Sequence, residues 1–450
     1  ETIRTTGHGF CGCSRRELLL ILQQRATSLG VLIQFETEIN DVSNYEDADL
    51  IVGADGLNSI VRKTYENHFR PSFEWRRNKF LWLGTSKPYD AFTFDFAQNE
   101  HGIWVLGAYQ YSDNLSTWIV EAPEPTWASA KKEVADQSEE ELLDYMEQLW
   151  ADKLDGYKLM SNKSVWRSFP TIRCENWSHG NIVLIGDALH TAHYSIGSGT
   201  KLAMEDAIAL YQACQDAEDV GAALTAFEAA RRTDVEITQH AADVSVVWTE
   251  NAGRYQGMDA IQAAYSMLTR SKQITHENLR VRDAQFISNV ETWLAARSSM
   301  PDTSPPMFLP FKLRDMKVAN RVVVSPMDMY MSADGTVGDF HLVHLGSLAM
   351  GGAGLVFSEM TSVSRNGRIT PGCAGLYMPE HVDAWKRVID YVHNQSDAKF
   401  CLQIGHAGRK GATQVGWEGM DQPLKDGAWP VISPSPIPFS HQHAMPREMG

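Results

Sequence analysis

The sequence predicts an α/β fold built in two parts, and three observations carry it. Residues 1–297 contain two short apolar runs, Leu50-Ile51-Val52 and Ile182-Val183-Leu184-Ile185. Each run leads into a turn holding glycine and aspartate, and each turn leads into a helix signal. Between the two runs, aromatic and β-branched residues alternate as they do in a sheet. After a Pro- and Ser-containing linker at 298–306, strand and helix signals alternate over 307–450, the order of the first turns of a (β/α)8 barrel.

Length and composition bound the rest. The 450 residues give room for two or three domains. An apolar content of 43% with 21% charged residues is that of a soluble globular protein. The formal net charge of −16 argues against nucleic acid or an anionic membrane as the main partner. No apolar run is long enough to span a bilayer, and no signal-peptide pattern is present, so a cytoplasmic protein is expected. Six cysteines are scattered without metal-ligand spacing. Cys11-x-Cys13 has no second pair or nearby histidine, so the thiols read as buried or free and no metal site is expected.

The most informative stretch is 182–210. Its apolar run ends at Gly186-Asp187, passes two histidines and a small-residue loop, Gly197-Ser198-Gly199-Thr200, and enters a helical pattern over 201–210. Strand, acidic turn, glycine loop and helix is a layout that presents backbone N–H groups to a ligand. An ordinary connection with a capping aspartate explains this stretch equally well by itself. The second such stretch is 49–62, where Gly53-Ala54-Asp55-Gly56 turns tightly after its strand and a helix begins near Ser59. Two strand-end aspartates in one domain are hard to explain by packing alone.

The N-terminus holds a G-x-G-x-x-G match, Gly7-His8-Gly9-Phe10-Cys11-Gly12. The segment before it is not the apolar strand a parallel sheet needs, and the following helix has its own start signal in Ser14 and Glu17. The match is therefore set aside. The helix at 15–29 places Leu18, Leu19, Leu22 and Ala26 on one face. Arg15 and Arg16 occupy its first turn, where the dipole disfavours cations, so a nearby anion would account for them, as would plain solvation.

The motif A-D-G-x-x-S-x-x-R, here Ala54 to Arg62, and G-D-A-x-H, here Gly186 to His190, resemble two signatures of the FAD-dependent aromatic hydroxylases. The resemblance implies a Rossmann-like FAD-binding domain with a mixed substrate-side sheet. It assigns FAD contacts to Arg15, Asp55, Gly56, Gly186, Asp187, Gly197 and Gly199, with Asp187 on a ribityl hydroxyl. Tyr194, Ser198 and Lys201 depart from the family's usual Pro, Gln and Asn. The family's first signature on a first βαβ unit is not found, and the chain is expected to be truncated within a domain at each end.

Strands are expected at 79–84, 91–96, 103–109 and 116–120, forming a sheet with one covered face. Helices are expected within 126–160 and at 222–248, 259–269 and 291–297. Beyond the linker, strands are expected at 320–327, 354–359 and 400–406, with helices at 343–350 and 381–394 between them. In such barrels function sits at the C-terminal ends of strands, here Pro326-Met327, Glu359-Met360 and 403–409. N-R-x-x-x-S-P-M at 320–327 and L-Q-I-G-H-A-G-R-K at 402–410 resemble the old yellow enzyme family of FMN-dependent ene-reductases. That resemblance places Pro326, Met327 and Gln403 against the FMN ring and Tyr330 over it near substrate. Asp328 stands where one subclass has a flavin-contacting cysteine.

A hydroxylase joined to an ene-reductase resembles the bifunctional monooxygenase/reductases of 2-aminobenzoyl-CoA and their relatives that 5-hydroxylate salicylyl-CoA. Tyr194 and Asp328 fit that subgroup. The implied chemistry uses FAD, FMN, NAD(P)H and O2 on an aromatic acyl-CoA. Oxygen attacks the ring carbon para to an amino or hydroxyl group, and the FMN unit then reduces the product. Two other readings stay open: a flavin hydroxylase of a free aromatic acid, and a fragment that binds no flavin. A homodimer is expected for the whole protein, and the 450-residue chain alone is expected to be inactive.

Overall fold

The computed structural model describes residues 1–135, 137–161, 163–300 and 304–449. Residues 301–303 of the expected linker lie outside the described residues. The chain divides into two compact units, Glu1–Ile287 and Ser288–Gly450.

In the first unit the two apolar runs become strands β1 (Ile51–Gly53) and β10 (Ile182–Leu184), which are parallel neighbours with Ile51 opposite Ile182 and Gly53 opposite Leu184. All three residues of β10 are buried. Strand β9 (Ser178–His179) pairs antiparallel on its other side. Two helices close this layer, α5 (Gly199–Asp216) and α6 (Val220–Glu250). Asp219 starts α6 by accepting the Ala222 N–H at 2.8 Å. Leu202 and Leu210 of α5 and Leu224, Phe227 and Val235 of α6 share one core with Val183 and Leu184.

A five-stranded antiparallel sheet lies beside this layer. Its strands are β3 (Lys79–Thr85), β4 (Thr93–Asn99), β5 (Gly102–Ser112), β6 (Leu115–Ala122) and β7 (Leu159–Met160), in the order β4-β5-β6-β3-β7. Helices α3 (Glu124–Val134) and α4 (Glu139–Leu149) cover one face, with Trp118, Val120 and Ala122 packed against Ala130, Val134, Leu142 and Met146. A Ser138–Glu141 capping box starts α4. The sequence pattern pointed to a single covered face. Strand β6 is instead buried at every residue from Ser116 to Ala122, so Ile119 and Glu121 are covered on the second face as well. A separate antiparallel pair, β2 (Pro71–Trp75) with β8 (Pro170–Cys174), was missed in the sequence, as was helix α8 (His276–Arg282).

Helix α1 (Arg15–Ser28) starts where Ser14 Oγ accepts the Glu17 N–H, but its expected apolar face does not form. Leu18 and Ala26 are half-buried, whereas Leu19, Leu20, Ile21 and Leu22 are 44–63% exposed. Cap and propensity suffice to make the helix; no residue of it is buried. Two glycines of the set-aside G-x-G-x-x-G, Gly7 and Gly12, serve close packing, whereas Gly9 has open space around it. A Cβ at Gly7, whose φ is +72°, would lie 2.1 Å from Arg282 O, and one at Gly12 would lie 2.4 Å from Gln110 O.

In the second unit a hairpin not expected from the sequence, β11 (Phe311–Leu313) and β12 (Met316–Val318), precedes the first expected strand. That strand, β13 (Val323–Val324), is far shorter than its apolar run. Helix α10 (Asp339–Met350), strand β14 (Leu355–Ser362), helix α11 (Pro379–Gln395) and strand β15 (Lys399–Gly405) follow. The parallel order β13-β14-β15 with intervening helices is that of a β/α barrel's opening turns. Val356, Leu345, Trp385 and Val388 form its core. Among the described residues, no helix is long and apolar enough to cross a membrane.

Trp118 is fully buried between the sheet and its helices. Trp118→Ala is expected to destabilise the first unit by about 3–5 kcal/mol, read as a shifted midpoint in urea unfolding followed by circular dichroism.

Candidate functional site

Parallel pairing of β1 and β10 brings the Asp55 and Asp187 turns to the same end of adjacent strands. The two aspartates then part company. Asp55 Oδ2 accepts the N–H of Ile60 at 2.6 Å and of Val61 at 3.3 Å, which caps helix α2 (Ile60–Thr64). The Asp187 side chain is exposed, and among the described residues its carboxylate accepts no hydrogen bond. Its surroundings push the carboxyl upward by desolvation, opposed by the charges of His190 and Arg15. The structure thus brings Arg15, Asp187, Gly186, Asp55 and Gly56 into one neighbourhood.

Arg62 ties the two turns together. It is buried, and its guanidinium donates to Ala188 O at 2.6 Å, Asp187 O at 3.4 Å and Leu57 O at 2.5 Å. Gly186 has a φ of +58°, and a Cβ there would stand 3.0 Å from the Ala203 Cβ, so the turn sits directly on α5. The Gly186 N–H donates to Asp206 Oδ2 at 3.0 Å. Asp206 is fully buried; it also meets His190 Nε2 at 2.8 Å and accepts from Arg231 Nε at 3.1 Å. Burial pushes this carboxyl up, but the hydrogen bonds outweigh it and hold the group below the usual carboxylate range.

The loop into α5 is polar and only partly satisfied. Gly197 has a φ of +66°, which closes the turn at Tyr194–Ile196. Arg270 Nη2 holds that turn by donating to Ser195 O at 2.7 Å. Among the described residues, the buried hydroxyls of Ser195 and Ser198 have no hydrogen-bond partner, and Ser198 gives α5 no side-chain cap. Space is open around Gly199, the first residue of this 18-residue helix. Orphaned hydroxyls at a helix N-terminus suit a bound group rich in hydrogen-bonding atoms and carrying partial negative charge. A flavin's ring edge is such a group, and the exposed Asp187 carboxylate suits its ribityl hydroxyls, so the residues present fit FAD.

Beside this loop lies an aromatic wall. The Tyr194 ring packs 4.9 Å from Phe80, 5.9 Å from Trp82 and 5.8 Å from Phe169. Its buried hydroxyl faces Glu121, which accepts from Asn78 Nδ2 at 3.1 Å. Burial pushes the Glu121 carboxyl up, opposed by the hydrogen bond from Asn78 and the charge of Arg270. Burial, with Arg76 and Arg270, lowers His193 to about 3, and its Nδ1 accepts the Ser195 N–H at 3.2 Å. Rings with few polar groups among them suit an aromatic ligand.

In the second unit the strand ends align as the barrel pattern required. Met360 of β14 stands opposite Gln403 of β15, and Pro326-Met327 follows β13. Pro326, Met327 and Gln403 are all exposed, Met327 by 69%. Exposed apolar and amide side chains at the ends of neighbouring strands fit a flat ring with polar edges, as in FMN. The ladder slips between Phe357 and Met360, and two acids brace the gap. Asp328 Oδ1 accepts the Met360 N–H at 3.0 Å, while Glu359 Oε2 accepts from Met329 at 3.3 Å and Tyr330 at 3.4 Å. Tyr330 has a φ of +56°, a conformation costing about 1–3 kcal/mol unless its surroundings hold it. Burial raises Asp328, with Glu359 adding to the rise, and burial with Asp328 raises the Tyr330 hydroxyl.

Arg62, Glu121, Asp206, Arg231 and Glu359 carried no assigned role from sequence alone. Asp206 was detectable, because it stands four residues from both Leu202 and Leu210 on the buried face of α5. Glu121 interrupts the apolar run Trp118-Ile119-Val120.

An acidic strand-end pair, a polar helix N-terminus and an aromatic-walled sheet thus lie together in the first unit. The chain belongs to the FAD binding domain family, which matches residues 2–236. Residues 306–449 match the NADH:flavin oxidoreductase / NADH oxidase family. The chain is 38% identical over 345 residues to a salicyloyl-CoA 5-hydroxylase of a Streptomyces species, covering 75% of this chain and 66% of that protein. It is 33% identical over 276 residues to the protodeoxyviolaceinate monooxygenase of Chromobacterium violaceum, 61% of this chain and 73% of that one. It is 37% identical over 237 residues to the 3-hydroxy-4-methyl-anthranilyl-[aryl-carrier protein] 5-monooxygenase of Streptosporangium sibiricum, 52% and 62% respectively. The chain therefore spans just under two thirds of the first of these relatives.

Two outcomes are expected. Arg62→Lys cannot reach three carbonyls at once and should cost about 3 kcal/mol in urea unfolding. His193 stays neutral in the fold down to about pH 3, whereas the unfolded chain takes up its proton near 6.5. Its contribution is complete above pH 6.5 and is lost as pH falls toward 3. Wild type should lose stability between pH 7 and pH 4 faster than His193→Gln, by an amount on the order of a few kcal/mol.

Proposed function

We propose that the protein is a flavin-dependent aromatic-ring monooxygenase acting on an acyl-CoA thioester with NADH and O2, joined at 298–306 to an FMN-dependent reductase. The carrying observation is the 345-residue likeness to salicyloyl-CoA 5-hydroxylase, which is too long to fit within the first unit. On this reading Arg15, Asp55, Gly56, Gly186, Asp187, Gly197 and Gly199 surround FAD. Pro326, Met327 and Gln403 meet FMN, and Tyr330 stands near substrate.

When bound, FAD supplies the electrons taken from NADH and the site where O2 is activated. The chain's own groups position and exclude. Asp187 offers an unshared carboxylate to ligand hydroxyls. The N-terminus of α5, with Ser195 and Ser198, stabilises negative charge at a ring edge. Phe80, Trp82, Phe169 and Tyr194 hold an aromatic ring away from water. The ring's own hydroxyl or amino group drives electrons to its para carbon, so the oxygen transfer needs no strong protein base. In the second unit the raised Tyr330 hydroxyl stays protonated and serves as a hydrogen-bond or proton donor.

The first relative's name favours a hydroxyl-bearing ring. A second reading, 2-aminobenzoyl-CoA, is favoured by the anthranilyl monooxygenase among the relatives. Substrate-dependent NADH oxidation by the intact protein should be seen with salicyloyl-CoA or 2-aminobenzoyl-CoA and not with free salicylate. Equal rates with the free acid would overturn the thioester assignment. Asp187→Ala in the intact protein is expected to lose FAD; stoichiometric FAD after purification would sink the site assignment.

A further inference from the structure

Tyr330 occupies a backbone region that side-chain-bearing residues rarely adopt, with a φ of +56°. Two features enclose it. On one side Gly372 lies so close that a Cβ there would stand 2.2 Å from Tyr330 O, and Ser332 N–H donates to Gly372 O at 2.9 Å. On the other, Glu359 Oε2 takes the successive N–H groups of Met329 and Tyr330.

Glu359 is itself held. Its Oε1 lies 2.9 Å from His341 Nε2, and the two side chains are 3% and 2% exposed. His341 Nδ1 accepts the Gly338 N–H at 3.2 Å, so the ring proton sits on Nε2 and points at Glu359. The two Glu359 oxygens therefore face donors on opposite sides. Only a carboxylate satisfies both. A glutamine offers one oxygen and one NH2, so either the backbone N–H pair loses its acceptor or the histidine N–H is left with only Ser332 Oγ, 3.3 Å away.

We propose that Glu359, braced by His341, is a positioning residue that holds Tyr330 in its left-handed conformation and so sets the Tyr330 ring toward the ligand. This rests on the reading of the second unit as an FMN-dependent reductase. Glu359 has both oxygens committed to donors and acts through Tyr330.

The test is a double-mutant cycle in the intact, flavin-loaded protein with Glu359→Gln, Tyr330→Phe and both together. FMN content, kcat and KM are measured for NADH-driven reduction of 2-cyclohexenone. Ketone binding is measured separately from its shift of the FMN absorption band. Glu359→Gln is expected to retain FMN, to lower kcat/KM roughly 10- to 100-fold, and to add no more than about twofold to Tyr330→Phe. Ketone affinity should follow the same non-additive pattern. Additive losses, or wild-type kinetics in Glu359→Gln, would overturn the proposal. Should Glu359→Gln lose FMN, Gly372→Ala displaces Tyr330 from the other side with Glu359 intact. It must then show the same non-additivity with Tyr330→Phe, and additivity there overturns the proposal as well. Wild-type protein without NADH turnover or ketone-induced absorption change would refute the reductase reading and this inference together. A working wild type with an additive cycle refutes the inference alone.

Discussion

The Asp206 carboxylate joins three elements at one buried point beneath the core they share. One oxygen meets the Gly186 N–H and His190, and the other takes Arg231. Strand-end turn, α5 and α6 are thereby fixed to one another at a point with no access to solvent. Removing one partner of such a group leaves a buried charge, which costs about 3–5 kcal/mol. The position of Asp187, one residue beyond Gly186, follows from this network. So does the placement of the α5 N-terminus, because Asp206 lies two turns along that helix.

Elements with a strong local pattern were legible in the sequence. The four aromatic strands, the long α6 and the strand–helix alternation of the second unit all stand close to where periodicity put them. The strands β2 and β8 were not, because five-residue runs with mixed polarity acquire their identity only by pairing across about 100 residues. Helix α1 shows the opposite failure. Its apolar residues and Ser14 cap marked a helix correctly, but periodicity does not say whether a partner exists, and Leu19 through Leu22 remain uncovered.

At the candidate sites, the glycines and aspartates were visible as motifs, while the residues holding them were not. Arg62 belongs to a quoted motif, yet its task depends on carbonyls at Leu57, Asp187 and Ala188, two of them over 120 residues away. Glu359 likewise acts on the backbone of Met329 and Tyr330 from the neighbouring strand. Contacts of this kind come from strand pairing, which a linear pattern does not encode. Their residue types do leave a trace, since an acid or arginine on a face otherwise made of Leu, Val and Ile must find a partner.

Sequence alone placed acids at strand ends and left open whether each served a ligand or the fold. The structure sorts them by what their oxygens accept. Asp55 takes two N–H groups of α2, Asp328 takes Met360, and Glu359 takes Met329, Tyr330 and His341. Each replaces hydrogen bonds that a strand end or helix start would otherwise lack. Asp187 alone of these four accepts none among the described residues; Asp55 is exposed too, but its carboxylate is committed to α2. An exposed strand-end carboxylate that the fold does not use keeps its oxygens available to an external donor, which makes Asp187 rather than Asp55 the stronger candidate for direct contact with a hydroxyl-bearing ligand.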